Sequence, residues 1–246
     1  MNITYIGHSG FYLELEHCAM LFDYAKGPLP DFDFSKPLYI FISHHHADHF
    51  SPMLFPLFRG HPSVRFLLSA DVERHFGRQT MRCLGVTDGE YQDLRFLAPG
   101  ERYADERIEV TALATTEEGI AFLLRAEGKR IFHAGDLNLW VWPGRAEEEN
   151  SRAEEAYNRA IAPLAGMELD VAFLPLDPRQ EELYWKGFDR FMRRTRTALA
   201  CPMHFWDRQE TVEEFLRLDC TQPYRDRVSL ARRSDPHVKL FPHFEY

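Results

Sequence analysis

The feature that most constrains this chain is an apolar run that ends in a cluster of histidines. PLYIFIS (37–43) is almost continuously hydrophobic, as expected of a strand buried on both faces, and it runs straight into SHHHADHF (43–50). A strand buried on both faces needs a neighbour layer on each side, so an α/β architecture is implied. The polar cluster then sits in the loop at the carboxyl end of that strand, where ligand sites of such sheets usually lie.

The flanking segments extend this pattern. ITYIG (3–7), FYLELE (11–16) and AMLFDY (19–24) read as three short strands with tight connections, an antiparallel start. Ser51 and Pro52 read as N-cap and first-turn proline of a short helix limited by Pro56. VRFLLS (64–69) reads as a further strand, with ADVERHFGR as a helix after it.

RIEVTALA (107–114), GIAFLLRA (119–126) and KRIFHAG (129–135) read as three strands separated by Glu-Gly and Gly-Lys turns. An acidic helix is expected over 147–167. LDVAFLPLD (169–177) and TALACPMHF (197–205) follow as strands, each trailed by a helix, 181–194 and 209–218. Strands followed by β-α units, twice over, predict two sheets packed face to face with helices outside, in one domain spanning 1–246.

Charge and composition narrow the function. A net charge of -9 disfavours a protein that grips a phosphate backbone, so no nucleic-acid partner is expected. The opening MNITYIGHSG lacks a basic-then-apolar leader, and no run reaches the roughly 18 apolar residues of a membrane span. The expectation is a cytoplasmic chain acting on a small molecule. The scattered Cys18, Cys83, Cys201 and Cys220 suggest neither disulfides nor a zinc knot.

His44, His46, Asp48 and His49 form H-x-H-x-D-H. Residues two apart share a side at a strand end, and the following turn swings the aspartate and last histidine toward the same point. Imidazole with carboxylate suits Zn, Mn or Fe(II) better than Ca or Mg, and the geometry suits two neighbouring ions. A solvated loop rich in histidine is the bland alternative. His45 is the expected non-ligand, turned away from the cluster.

This pattern after an apolar strand resembles the signature of the metallo-β-lactamase-fold hydrolases. IFHAGD, ending in Asp136, resembles the segment that supplies an aspartate bridging two metals, and Pro202-Met203-His204 resembles the last histidine ligand. ITYIGHSG with Leu21-Phe22-Asp23 resembles the opening of the ascorbate-6-phosphate lactonase-like branch. The resemblance runs from residue 1 to about 206. It implies an αβ/βα four-layer sandwich of two mixed β-sheets, and one or two divalent transition-metal ions, Zn foremost, with Mn or Fe as alternatives. It further implies a metal-dependent hydrolase, one of whose metal sites comprises Asp48, His49, Asp136 and His204.

One departure stands out. The family offers a third histidine between the loop and the Gly-Asp segment, but here the stretch reads ALATTEEGI and no histidine lies between His75 and His133. The other site keeps His44, His46 and the bridging Asp136. Thr115 or Thr116 could hold a water there, and Glu117 or Glu118 could replace the imidazole with a carboxylate, unless the two glutamates simply lie in a solvated hairpin turn. One tight ion and one labile ion, or a single ion, are predicted.

His8, His133, Asn138, Asp177 and Arg179 are candidates for contacts around the metal or substrate, and Asp48 for proton transfer. Trp140, Trp142, Tyr184 and Trp185 are read either as pocket wall or as core caps. Two functions stand side by side: hydrolysis of an ester, lactone or phosphoester, or a weakly catalytic or non-catalytic metal-binding module for a small ligand.

Overall fold

The computed structural model describes residues 1–229. The reading of 1–246 as one domain therefore includes residues, 230–246, that lie outside the described ones. The first sheet has the order β1 (Asn2–Gly7), β2 (Gly10–Glu14), β3 (Ala19–Phe22), β4 (Leu38–Ile42), β5 (Val64–Ser69) and β6 (Arg95–Leu97). Its first three strands are antiparallel and the rest join in parallel.

The second sheet runs β7 (Arg102–Ala104), β8 (Ile108–Ala114), β9 (Ile120–Ala126), β10 (Lys129–His133), β11 (Glu168–Pro175) and β12 (Arg196–Met203). It repeats the scheme: β7 to β10 pair antiparallel, then β11 and β12 add in parallel. The change from hairpins to crossovers follows from the sequence, because parallel neighbours need a long connection to carry a helix back.

β4 shows why its sequence is unbroken in hydrophobicity. Tyr39 and Phe41 face the core between the sheets, whereas Leu38, Ile40 and Ile42 face a second core under α1 (Leu54–Phe58) and α2 (Ala70–Cys83). Phe22 and Phe41 stack at 4.8 Å on the inner face, and Phe122 meets Phe41 from the opposite sheet at 5.1 Å. On the outer face of the second sheet lie α4 (Glu147–Ile161), α5 (Lys186–Arg194) and α6 (Gln209–Arg217), which bury Ile161, Phe188, Phe191 and Phe215. Helices, sheet, sheet, helices make four layers, the αβ/βα sandwich expected. No helix among the described residues is long and apolar enough to cross a membrane.

Several local expectations need correction. Ser51 does not cap α1: its carbonyl accepts from Leu54 N at 3.1 Å, Met53 is the N-cap and the helix begins three residues after Ser51, at Leu54. Pro56 lies inside the first turn of α1 instead of limiting it, a position where the missing N–H has no intrahelical partner to lose. The helix expected over 181–194 is two pieces, a 3-10 turn Pro178–Leu183 and α5, broken at Glu181 with φ of 50°. The short helix α3 (Asp88–Asp93), β6 and β7 were not anticipated.

Candidate metal centre

The carboxyl ends of the parallel strands of both sheets meet at one edge of the sandwich. Asp23 follows β3 and the histidine loop follows β4. Across the cleft, Asp136 follows β10, Asp177 follows β11 and His204 follows β12. The two sheets are tied together here, with His204 N donating to the His8 carbonyl at 3.0 Å and His133 Nε2 to the Ser9 carbonyl at 3.0 Å.

Asp136 sits at the centre. Its Oδ1 lies 3.2 Å from His49 Nε2 and 3.3 Å from His204 Nε2, and its Oδ2 lies 3.4 Å from His44 Nε2. His8 Nε2 is 3.2 Å from Asp48 Oδ2. The donor atoms of His8, Asp48, His49 and His204 all lie within 4.8 Å of one another, as do those of His44, His49 and Asp136, and those of His44, His46 and Asp48. All six residues of the expected ligand set, with His8 beside them, thus line one small volume.

The imidazoles are aimed by hydrogen bonds to their far nitrogens. Fully buried Asp23 accepts from His49 Nδ1 at 2.8 Å, from Ser43 Oγ at 2.6 Å and from Ser43 N at 2.7 Å. Since Ser43 Oγ donates to Asp23, it accepts from His44 Nδ1, 2.9 Å away. Fully buried Asp177 accepts from His204 Nδ1 at 3.0 Å and is clasped on its other side by Arg179. Each ring therefore keeps its proton at Nδ1, which leaves Nε2, the nitrogen facing Asp136, as the one that takes either a proton or a metal.

That arrangement fits a cation. His8 Nε2, His44 Nε2, His49 Nε2 and Asp136 Oδ1 are buried and form no hydrogen bond, although buried polar atoms are normally satisfied. Donors about 2.1 Å from one ion at tetrahedral angles stand about 3.4 Å apart, close to the spacings found around Asp136. Nitrogen and carboxylate oxygen are donors for Zn, Mn or Fe(II).

Backbone strain is concentrated at this edge, which holds five of the seven non-glycine residues with positive φ among the described residues; Glu127 and Glu181 are the other two. His8, Asp23, His204, Trp206 and Asp207 have positive φ, between 40° and 63°. Such conformations cost about 1–3 kcal/mol each and collect where geometry is imposed by function.

Electrostatics divide the donors into two kinds. Burial pushes His44 down to about 4, with the neighbouring His49 charge acting the same way. Burial opposes charge on His49 and His204 too, but Asp136, with Asp23 or Asp177 behind, carries both above the ordinary imidazole value. Asp136 itself, despite burial, is held well below the usual carboxylate range by these two rings. Asp48 is lowered as well, because contact with His8 and the charge of His49 outweigh its burial.

Other sequence candidates fall outside the donor cluster. Thr115 Oγ1 donates to the carbonyls of Glu117 and Glu118, and Thr116 Oγ1 donates to the Asn138 carbonyl, so both hydroxyls serve the backbone. The Asn138 amide donates to Gln180 in the interior. His133 is fully buried, stacked on Phe22 at 5.0 Å, and takes the tying role described above. His45 does turn away from the cluster: its Nδ1 donates to Asp71 at 2.8 Å and its ring stacks on His75 at 3.9 Å.

A cleft of about 550 Å³ opens over the cluster. Trp140, Trp142, Arg145 and Arg179 line it together with Glu117 and Glu118. The Arg145 guanidinium lies over Trp142 at 5.5 Å and that of Arg179 over Trp206 at 4.6 Å. Asp23, Asp71, Arg145 and Trp206 were not singled out as site residues by the sequence. A lone aspartate after a strand carries no local signal of its partner, though Asp23 stands inside the quoted Leu-Phe-Asp.

Residues 2–141 match the family described as beta-lactamase superfamily domain, a span that holds His8, the histidine loop and Asp136. The chain belongs to this family, and so to the metal-dependent hydrolases of the metallo-β-lactamase superfamily. A UPF0173 metal-dependent hydrolase of Opitutus terrae is 28% identical over 217 residues, covering 83% of this chain and 85% of that protein. Another, from Alkaliphilus metalliredigens, is 26% identical over 186 residues, covering 72% and 73%. Among solved structures, Igni18, a metallo hydrolase from the archaeon Ignicoccus hospitalis, superposes with a TM-score of 0.61 at 17% identity, over 95% of this chain and 94% of that one. At that identity the likeness concerns the fold.

Proposed function

We propose that this hydrolase cleaves an ester, lactone or phosphoester bond of a small substrate, using a divalent transition metal held by His44, His46, Asp48, His49, Asp136 and His204. The observation that carries the reading is the convergence of buried, unpartnered imidazole Nε2 atoms on Asp136 at the floor of an open cleft. A divalent ion bound there supplies Lewis acidity and activates a water at neutral pH. Zn suits the donors foremost, with Mn or Fe(II) as alternatives.

The chain's own groups account for the rest. Asp48, its side chain 37% exposed and its carboxyl held ionised, faces the cleft and accepts the proton of the attacking water, with His8 behind it. Arg145 and Arg179 add positive charge to the lining of the cleft, which favours a substrate with an anionic group, such as a sugar-acid lactone or a phosphoester. Trp140 and Trp142, stacked at 6.1 Å, offer a planar wall that shields the reacting bond from solvent.

The test is turnover by the full chain, stripped of metal and then loaded in turn with Zn, Mn and Fe(II), on a panel of lactones, carboxylic esters, phosphomonoesters and phosphodiesters. Metal-dependent turnover of at least one class, lost in Asp136→Ala, is expected. Metal binding without turnover on any class would refute catalysis and leave a metal-binding small-ligand module.

A further inference from the structure

The metal-binding reading above leaves His44 and His46 one donor short of the family pattern, and the inference that follows rests on that reading. We infer that Glu118, on the turn between β8 and β9, supplies a carboxylate in place of the absent third imidazole. It thereby completes a second cation site with His44, His46 and Asp136.

The turn is pressed against the histidine loop by its backbone. Ile120 N donates to the Ser43 carbonyl at 2.9 Å, and a Cβ on Gly119 would stand 2.3 Å from that carbonyl oxygen and 2.5 Å from His44 Cβ. Only glycine, with φ of 85°, allows this approach. The hydroxyls of Thr115 and Thr116 close the turn from within, so the backbone of Glu118 is held beside the cleft by its neighbours.

From there Glu118 Oε2 reaches to 3.6 Å from His46 Nε2 and to 3.6 Å from His45 Nδ1. The latter nitrogen already donates to Asp71 at 2.8 Å, which leaves His46 as the neighbour with a free ring nitrogen for an ion. His46 in turn meets His44 edge-on at 4.7 Å, and the buried His44 Nε2 has no hydrogen-bond partner. A plain surface ion pair between Glu118 and His46 is the competing account. It does not explain the buried, unpartnered His44 Nε2 beside Asp136 Oδ2 at the floor of the same cleft, which an ion shared with Glu118 and His46 would satisfy.

The chemistry differs from that of a third imidazole. A carboxylate adds one negative charge and a harder donor, which shifts preference from Zn toward Mn or Fe(II). Because the Glu118 side chain is 63% exposed, this ion is also the more weakly held and the more easily exchanged of the two.

The experiment is titration of the metal-free full chain with Co²⁺, read by visible absorption and elemental analysis, for the wild type and for Glu118→Ala, Glu118→His and Glu117→Ala. The wild type is expected to bind two ions and Glu118→Ala one, with the tighter ion's absorption unchanged. Glu118→His should bind two with altered bands and gain at least about 10-fold in Zn over Mn preference, and Glu117→Ala should bind two. Glu118 is exposed, so its truncation leaves the core untouched, and the thermal midpoint of the metal-free variants checks that they fold. Glu118→Ala that matches the wild type in stoichiometry and affinity overturns the inference, whether that stoichiometry is two or one, as does loss of an ion in Glu117→Ala instead. A wild type that binds no ion at all refutes the underlying metal reading.

Discussion

Replacing Asp23 with asparagine tests whether a residue buried behind the cluster controls the donor atoms in front of it. Asp23 accepts three hydrogen bonds, from Ser43 N, Ser43 Oγ and His49 Nδ1. Asparagine keeps one acceptor, which suffices for Ser43 N, but turns an NH₂ toward the other two. Ser43 can rotate its hydroxyl to accept. His49 can accept only by moving its proton from Nδ1 to Nε2, the nitrogen that faces Asp136.

Two magnitudes follow. Neutral hydrogen bonds replace charge-assisted ones, each worth about half as much, so Asp23→Asn should cost the metal-free chain about 1–2 kcal/mol. Asp23→Ala leaves buried donors unpaired and should cost about 3–5 kcal/mol. Metal affinity should fall about 10- to 100-fold in Asp23→Asn, the usual loss when the group orienting a ligand is changed. Chelator competition measures the affinity, and ¹⁵N chemical shifts of the His49 ring report the tautomer. Wild-type affinity in a folded Asp23→Asn chain, or a proton still on Nδ1, would refute the reasoning.

Further outcomes are expected elsewhere. His49 and His204 titrate above the ordinary imidazole value, so protons compete with metal near neutrality: apparent affinity should rise from about pH 6 to about pH 8, with proton release seen by calorimetry in buffers of different ionisation enthalpy. For the metal-free chain the same raised groups stabilise the fold fully below the unfolded-state value and lose that contribution as pH rises through the folded-state one. Metal should therefore raise the thermal midpoint more at about pH 8 than at about pH 6. Gly119→Ala forces a Cβ against the Ser43 carbonyl at positive φ and should cost about 2–5 kcal/mol by denaturant melt. His45→Ala should leave metal stoichiometry intact while costing about 1–3 kcal/mol, because buried Asp71 loses its imidazole partner; loss of an ion in that variant would show His45 to be a ligand.

What the sequence disclosed follows the range of each interaction. β4 and its loop were legible because both signals are consecutive: a run apolar on both faces, then donors at fixed spacing. Asp136 and His204 are ordinary residues locally, and only their order relative to the loop marks them. Thr115, Thr116 and Asn138 were plausible site residues by proximity in sequence, yet their polar atoms are consumed by the carbonyls and amide that hold the loop in shape. Asp71 left no trace, since its partner His45 lies on another element, and Arg145, although it sits over nearby Trp142, belongs to no spacing that marks a site. The helix α3 did carry a signal, Thr87 and Glu90 in capping-box spacing, but with no apolar run behind it the pattern does not stand out.

The placement of the aspartates behind the rings points to a rule in how the cleft is built. In each sheet a parallel pair ends at the cleft, β3 with β4 and β11 with β12. In both pairs the earlier strand is followed within two residues by a fully buried aspartate, Asp23 or Asp177, and the later one leads to a histidine whose Nδ1 that aspartate accepts. Parallel neighbours bring their carboxyl ends side by side, so an acceptor and an imidazole placed at those ends are aligned by the sheet itself. The two orienting carboxylates thus rest on the buried ends of β3 and β11, whereas Glu118 rests on a hairpin tip. That difference in foundation is the physical reason to expect one ion that stays through purification and one that must be added back.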